Sequence, residues 1–249
     1  MPRANRYHVP GQVWHITHRC HQREFLLANR DQRQRWQYWL FEARRRYGLC
    51  VLNYIVTRNH IHLLVRDRGN GEIARSMQLV AGRAAQEFNR RRERRGAYWE
   101  DRYHATAVST DQHLVACMRY IDLNMVRAGA VSHPIQWPDS GYRAIQNPRQ
   151  RYRVIDLDIL MGLMGCRDLL SLQRRLDRNV ELALKQGPGR RQPMWSEPVA
   201  VGDQAFVDAM QSALGKRARA RSVVHVGDAW MLADARGAYN TEDEASAVG

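Results

Sequence analysis

Lysine is almost missing from this chain. Of 39 basic residues only Lys185 and Lys216 are lysines, and the rest are arginines. The four cysteines, Cys20, Cys50, Cys117 and Cys166, are scattered, with no C-x-x-C pair. That excludes a disulfide framework and the usual zinc ribbons. His18, Cys20 and His21 lack a partner pair at zinc-site spacing and read as ordinary polar residues after a strand. No apolar run approaches the ~18 residues that a membrane crossing requires. The N-terminus, Met1-Pro-Arg-Ala-Asn-Arg6, has no apolar core segment of the secretory kind. The expectation is a reducing, cytoplasmic setting without membrane contact.

The formal net charge is +14 over 249 residues. Such a charge favours a polyanion, and nucleic acid is the first candidate. Arginine offers planar bidentate phosphate contacts and stacks on bases. The plain alternative is arginine codon bias. The length suits one large domain, or a smaller one with an extension.

Gln12–His18 alternates, with Trp14 and Ile16 on one face and Val13, His15 and Thr17 on the other, which predicts a strand. Asp31 with Gln34 resembles a capping box opening a helix, whose Trp36, Trp39, Leu40, Ala43 and Tyr47 recur at core spacing up to Gly48. Residues 49–56 and 60–66 predict an antiparallel hairpin around Thr57-Arg58-Asn59. A helix from Glu72 to about Arg95 ends in a basic run, and a short strand follows at 104–108. Ser109 and Gln112 suggest a cap for a helix over 110–128, with Gly129 ending it. The order strand, helix, strand, strand, helix, strand matches the split βαβ pattern. It predicts an α+β fold: a ferredoxin-like four-stranded antiparallel sheet with helices, plus a mostly helical C-terminal extension.

Two clusters carry chemistry. In Asn59-His60-Ile61-His62 a strand places both imidazoles on one face, with Cα atoms about 6.5–7 Å apart, within reach of one metal ion. Tyr120 and Asn124 stand at i and i+4 on one helix face. A divalent ion on two imidazoles and the Asn124 amide oxygen would polarise a phosphate beside the Tyr120 hydroxyl. Each cluster alone is weak, because His-x-His arises by chance and a helical tyrosine is usually packing. Their joint occurrence on a basic chain points to DNA strand cleavage.

Asn59-His60-Ile61-His62-Leu63-Leu64 and Tyr120-Ile-Asp-Leu-Asn124-Met-Val-Arg-Ala-Gly129 resemble the two signatures of the HUH-type single-tyrosine transposases, most closely the REP-associated tyrosine transposase branch. Pro10-Gly11, Trp14-His15-Ile16-Thr17 and Trp99-Glu-Asp-Arg102-Tyr103 follow the same family pattern in order. The resemblance covers roughly residues 1–145. It implies Mg²⁺- or Mn²⁺-dependent cleavage and joining of single-stranded or hairpin DNA. His60, His62 and Asn124 would be metal ligands, and Tyr120 the nucleophile forming a 5′-phosphotyrosine. Two departures stand out. Thr57-Arg58 replaces the common Met-Pro, and Met125 replaces a proline, which would let the tyrosine helix run further.

Arg90, Arg91, Arg92, Arg94, Arg95, Arg102, Arg127, Arg190 and Arg191 are the candidate nucleic-acid contacts. The expected division is a catalytic domain at 1–145, a basic helical extension at 146–222 and a mobile tail at 223–249. Monomer and homodimer are both compatible. A nuclease using metal-bound water, and a non-catalytic binding module for structured nucleic acid, are the competing functional readings.

Overall fold

In the computed structural model, residues 8–148, 150–187 and 189–234 are described. The sheet assembles around β1 (Val13–Arg19), which pairs antiparallel with β3 (His60–Arg66) on one side and β4 (His104–Val108) on the other. β2 (Cys50–Val56) pairs antiparallel with β3 at the edge. These four strands are the expected ferredoxin-like set, with β3 and β1 central. The connecting helices are α1 (Arg30–Tyr47) and α2 (Glu72–Arg91).

The sheet is covered on both faces, and β2 is buried at every residue. Tyr54 of β2 donates to Gln37 of α1, which marks the α1 and α2 side. The neighbouring Asn53 points the other way and donates to Asp122 at 2.9 Å. That second side carries α3 (Gln112–Asp122) and α4 (Asn124–Arg127). From Asn53 onward this alternation decides which residues of β2 meet the tyrosine helix.

The helix starts differ from the sequence expectation by two residues each. α1 is opened by Asn29, whose N–H donates to Gln32 at 3.3 Å. The Asn29–Gln32 pair has the same three-residue spacing as Asp31 and Gln34, two residues earlier. α3 is capped by Asp111, which accepts from the His113 N–H at 2.7 Å, and not by Ser109. A carboxylate beside the positive helix end adds charge to the hydrogen bond that a serine makes. The expected continuous helix over 110–128 breaks at Leu123, with φ −81° and ψ 4°. Replacing proline by Met125 therefore does not prolong the tyrosine helix. Gly129, at φ 65°, ends α4 as expected.

The C-terminal part corrects the sequence expectation more strongly. After α5 (Gly141–Gln146), α6 (Leu157–Leu163) and α7 (Leu169–Lys185), the chain returns to the sheet. β5 (Ala200–Gly202) pairs parallel with β4, and β7 (Ala229–Asp234) pairs antiparallel with β5 and with β6 (Arg221–Val226). α8 (Gln204–Leu214) packs against β5 and β7. The sheet thus has seven strands, in the order β2-β3-β1-β4-β5-β7-β6, and not four. The extension is mostly helical as expected but adds three strands, and residues 223–234 form most of a hairpin where a tail was expected. Ser222-Val-Val-His-Val226, Gly227-Asp228 and Ala229-Trp-Met-Leu232 form a hairpin pattern hidden beside the acidic end. Residues 235–249, the rest of that expected tail, lie outside the described residues. Among the described residues no helix is long and apolar enough to cross a membrane.

Candidate active site

In β1 and β3, Thr17 pairs with His62 and Arg19 with His60. Paired residues share a face, so His15, Thr17, Arg19, His60 and His62 all look toward α3. The His60 and His62 rings lie 5.0 Å apart between centroids. Thr57 Oγ1 lies 3.0 Å and Asn59 Oδ1 2.7 Å from His60 Nδ1. The Asn59 oxygen only accepts, so Nδ1 carries the proton and Nε2 keeps its lone pair. Thr57 also accepts from the His60 N–H at 3.1 Å and donates to the His60 carbonyl at 2.8 Å. The residue that departs from the family pattern here closes the hairpin and holds the ring.

The break at Leu123 brings Asn124 onto the same spot. Its amide Nδ2 is 3.1 Å from His62 Nε2. The Tyr120 ring sits 5.7 Å from the His62 ring and 6.3 Å from the His15 ring. Arg127, seven residues on, donates to the Tyr120 carbonyl at 2.8 Å and lays its guanidinium 4.2 Å from the ring centre. Trp195, from the C-terminal extension, packs its ring 6.2 Å from that of Tyr120. Tyr120 is only 7% exposed.

Burial governs the electrostatics. It lowers His60 to about 3, with Arg19, Arg127 and Arg191 adding positive potential. Burial lowers His15 to about 4, against the pull of the Trp195 carbonyl. His62 lies well below its ordinary value, first through burial and then through His60 and His15. Neutral imidazoles with free lone pairs are what a divalent cation needs. Two such nitrogens beside a side-chain amide, which carries an oxygen on the same carbon, fit an ion that keeps open positions for water and phosphate. The donor chemistry of His60, His62 and Asn124 therefore fits a divalent cation.

The expected site residues divide into two groups. His60, His62, Tyr120, Asn124 and Arg127 converge, and Arg191 is close enough to act on His60. Arg90, Arg91, Arg92, Arg94 and Arg95 do not join them. They lie at the end of α2, where Arg91 pairs with Asp31 at 2.9 Å and Arg94 with Glu24 at 3.4 Å. Arg90, Arg92, Arg95, Arg102 and Arg190 are exposed, and Arg191 also meets Glu197 at 3.3 Å. His18 stacks on Trp99 at 4.0 Å and bonds the Asp101 carbonyl, while Cys20 is buried, so these form no zinc pair.

Sequence reasoning missed Arg19, His15 and Trp195. The alternation of β1 put His15 on a face with Val13 and Thr17, but only the register with β3 makes that the histidine face. Trp195 carried no signal. A separate cluster, His133, Asp177 and Glu181, brings its ligand atoms within 4.8 Å of one another. It is largely exposed, and Asp177 already accepts from the Tyr142 hydroxyl at 3.0 Å.

Residues 8–124 match the family described as transposase, IS200-like. The match spans a little under half of the chain and makes this part similar to the IS200-like transposases. The matched segment ends on Asn124 and holds His15, His60, His62 and Tyr120. The fold resembles that of a REP-associated tyrosine transposase solved bound to a REP hairpin, with a TM-score of 0.50 and 20% identity over 63% of this chain and 94% of that one. A putative transposase from Deinococcus radiodurans R1 aligns with a TM-score of 0.35 and 18% identity, over 48% of this chain and 95% of that one. No curated protein matches the sequence. The IS200-like segment thus supplies both halves of the site, while Arg127, Arg191 and Trp195 come from beyond it.

Proposed function

We propose that the chain is a metal-dependent, single-strand DNA endonuclease and strand transferase acting on hairpin, REP-like DNA through a 5′-phosphotyrosine intermediate. One observation carries this reading: Tyr120 of α3 and Asn124 of α4 both meet His62 of β3, beside His60, within a segment that matches a transposase family. The solved relative bound to a REP hairpin supports the hairpin as substrate.

His60, His62 and the Asn124 amide would hold Mg²⁺ or Mn²⁺, which when bound polarises the scissile phosphate and offsets its charge. The rest falls to the chain. The Tyr120 oxygen forms a bond to phosphorus as the bond from phosphorus to the 3′ oxygen breaks. The phenol proton leaves to solvent, and the 3′ oxygen gains one. The strand end stays on Tyr120 as a phosphodiester of unchanged bond type, so a 3′-hydroxyl can attack in reverse and free the tyrosine. Phenol has a pKa near about 10 and is a poor nucleophile at neutral pH. Arg127, over its ring, supplies positive charge where the phenolate develops. Arg19 and Arg191 add charge where the phosphate would lie.

Residues 1–145 act as the catalytic unit in this reading, with residues 146–234 completing its surroundings. Tyr120 lies beneath Trp195, and this favours a second reading: a hairpin-binding module that does not cleave. Incubation with REP-like hairpins and Mn²⁺ separates the two. A protein–DNA adduct stable to denaturant, absent in Tyr120→Phe, supports the enzyme. Hairpin binding without any cleavage supports the module, and cleavage without adduct supports metal-bound water as the nucleophile.

A further inference from the structure

The histidine that the sequence reading passed over is joined to the proposed metal site. His15 Nδ1 lies 2.6 Å from the Trp195 carbonyl oxygen, and His15 Nε2 lies 2.9 Å from His62 Nδ1. The two imidazole planes are 10° from parallel with centroids 5.0 Å apart, the edge-to-edge arrangement that an in-plane N–H bond requires. A carbonyl oxygen only accepts, so the His15 proton sits on Nδ1. At the other end the Asn124 amide nitrogen, which only donates, lies 3.1 Å from His62 Nε2, so that nitrogen accepts, His62 carries its proton on Nδ1, and His15 Nε2 accepts it. The proton between the two rings therefore belongs to His62 Nδ1. His62 Nε2 is left as a lone pair, aimed at Asn124.

We propose that His15 is a positioning residue for the metal site: relayed from the Trp195 carbonyl, it fixes His62 as the Nδ1–H tautomer, so that Nε2 presents its lone pair to the cation. The proposal rests on the metal reading of the preceding section. It also gives the C-terminal extension a task within the site, because the acceptor that sets the whole chain of tautomers is a backbone atom of residue 195. Outer partners of metal-bound histidines orient the ring and raise its basicity, and their loss costs roughly 10–100-fold in metal affinity. His60 has its own partners, Asn59 and Thr57, so the two ligands are set by separate devices.

Two measurements test this on the full chain. In the metal-free wild-type protein, ¹⁵N shifts of the histidine rings report which nitrogen of His62 holds the proton. The expected result is Nδ1–H, and Nε2–H overturns the proposal, whatever the variants do. Mn²⁺ titration, followed by calorimetry, compares wild type with His15→Leu and His15→Gln, each checked for folding by its thermal transition. The expected result is a 10–100-fold rise in Kd for His15→Leu. His15→Gln, whose amide oxygen can accept from His62, is expected within about threefold of wild type. Equal affinity in wild type and folded His15→Leu overturns the role of His15, as does equal loss in both variants, which would assign the effect to packing. Absence of any Mn²⁺ binding by wild type would instead remove the metal reading itself.

Discussion

His62 Nε2 lies 3.1 Å from the amide of Asn124, which ties the central strand of the sheet to the helix segment that carries Tyr120. The contact depends on two local events. β3 must present His62 on the α3 side, and the helix must break at Leu123 so that Asn124 begins a new turn. Any change that lengthens α3 through Leu123 would carry the amide away from the ring.

Asn124→Ala removes the proposed amide ligand and leaves both imidazoles. Mn²⁺ affinity is expected to fall roughly tenfold, on the order of 1.4 kcal/mol. Calorimetric titration checks this, and an unchanged Kd would assign Asn124 to packing alone.

The metal-free protein should be acid-labile. His15 drops to about 4 in the fold while an unfolded histidine titrates near about 6.5, so the unfolded chain binds more protons between those values. The stability that the neutral ring contributes is whole above pH about 6.5 and is lost as pH falls toward 4. For His15 this is on the order of 3 kcal/mol, and His60, at about 3, acts in the same direction. Thermal melts in chelator at pH 7.5, 6 and 5 should show a steady decline. A flat melting temperature over that range would mean that these rings are solvated.

Asp122 works in the opposite sense. Burial raises its carboxyl to about 7, although Asn53 pulls it down. The fold prefers the protonated form, so this group costs stability increasingly as pH rises from about 4 to about 7. Asp122→Asn should stabilise the protein by roughly 2–4 kcal/mol at pH 8 and by little at pH 4. Denaturant unfolding at the two pH values measures the difference, and equal effects would contradict it.

Gly141 has no room for a side chain. A Cβ there would collide with the Asn53 side chain and lie 2.8 Å from the Tyr54 nitrogen. Because Asn53 also holds Asp122, Gly141→Ala should disturb the link between β2 and the tyrosine helix. A loss of about 1–3 kcal/mol is expected in denaturant unfolding, and a neutral result would mean that α5 shifts freely on β2.

The α2 end makes a distinct binding prediction. Arg90, Arg92 and Arg95 are exposed, whereas Arg91 and Arg94 are partly neutralised by Asp31 and Glu24. If the run grips phosphate, replacing the first three by Gln should reduce the salt dependence of hairpin binding by about 0.7–0.9 in slope per lost contact. Replacing Arg91 and Arg94 should change it less. Binding isotherms at several salt concentrations decide the matter, and an unchanged slope for the triple variant would place the DNA elsewhere.

The four-strand core was legible because each strand and helix carries its own period: alternation in β1, the apolar run of β2 and the helical stripes of α1 and α2. His60 and His62 were legible for the same reason, since strand parity alone puts them on one face. Tyr120 and Asn124 came from a helical spacing that the break at Leu123 then altered. The missing part was long-range. His15 joins the site only through the β1–β3 register, and Trp195 only because β5 returns beside β4. β5 is three residues long, too short to show a period, and β6–β7 was masked by its polar neighbours.

The central claim is that Tyr120 attacks DNA. It is tested most directly by mixing the wild-type chain with a labelled REP-like hairpin and Mn²⁺, then separating the products on a denaturing gel. The account predicts a labelled band at the mass of protein plus DNA, lost in Tyr120→Phe and in chelator. A band that persists in Tyr120→Phe, or cleaved hairpin with no such band in wild type, would contradict it.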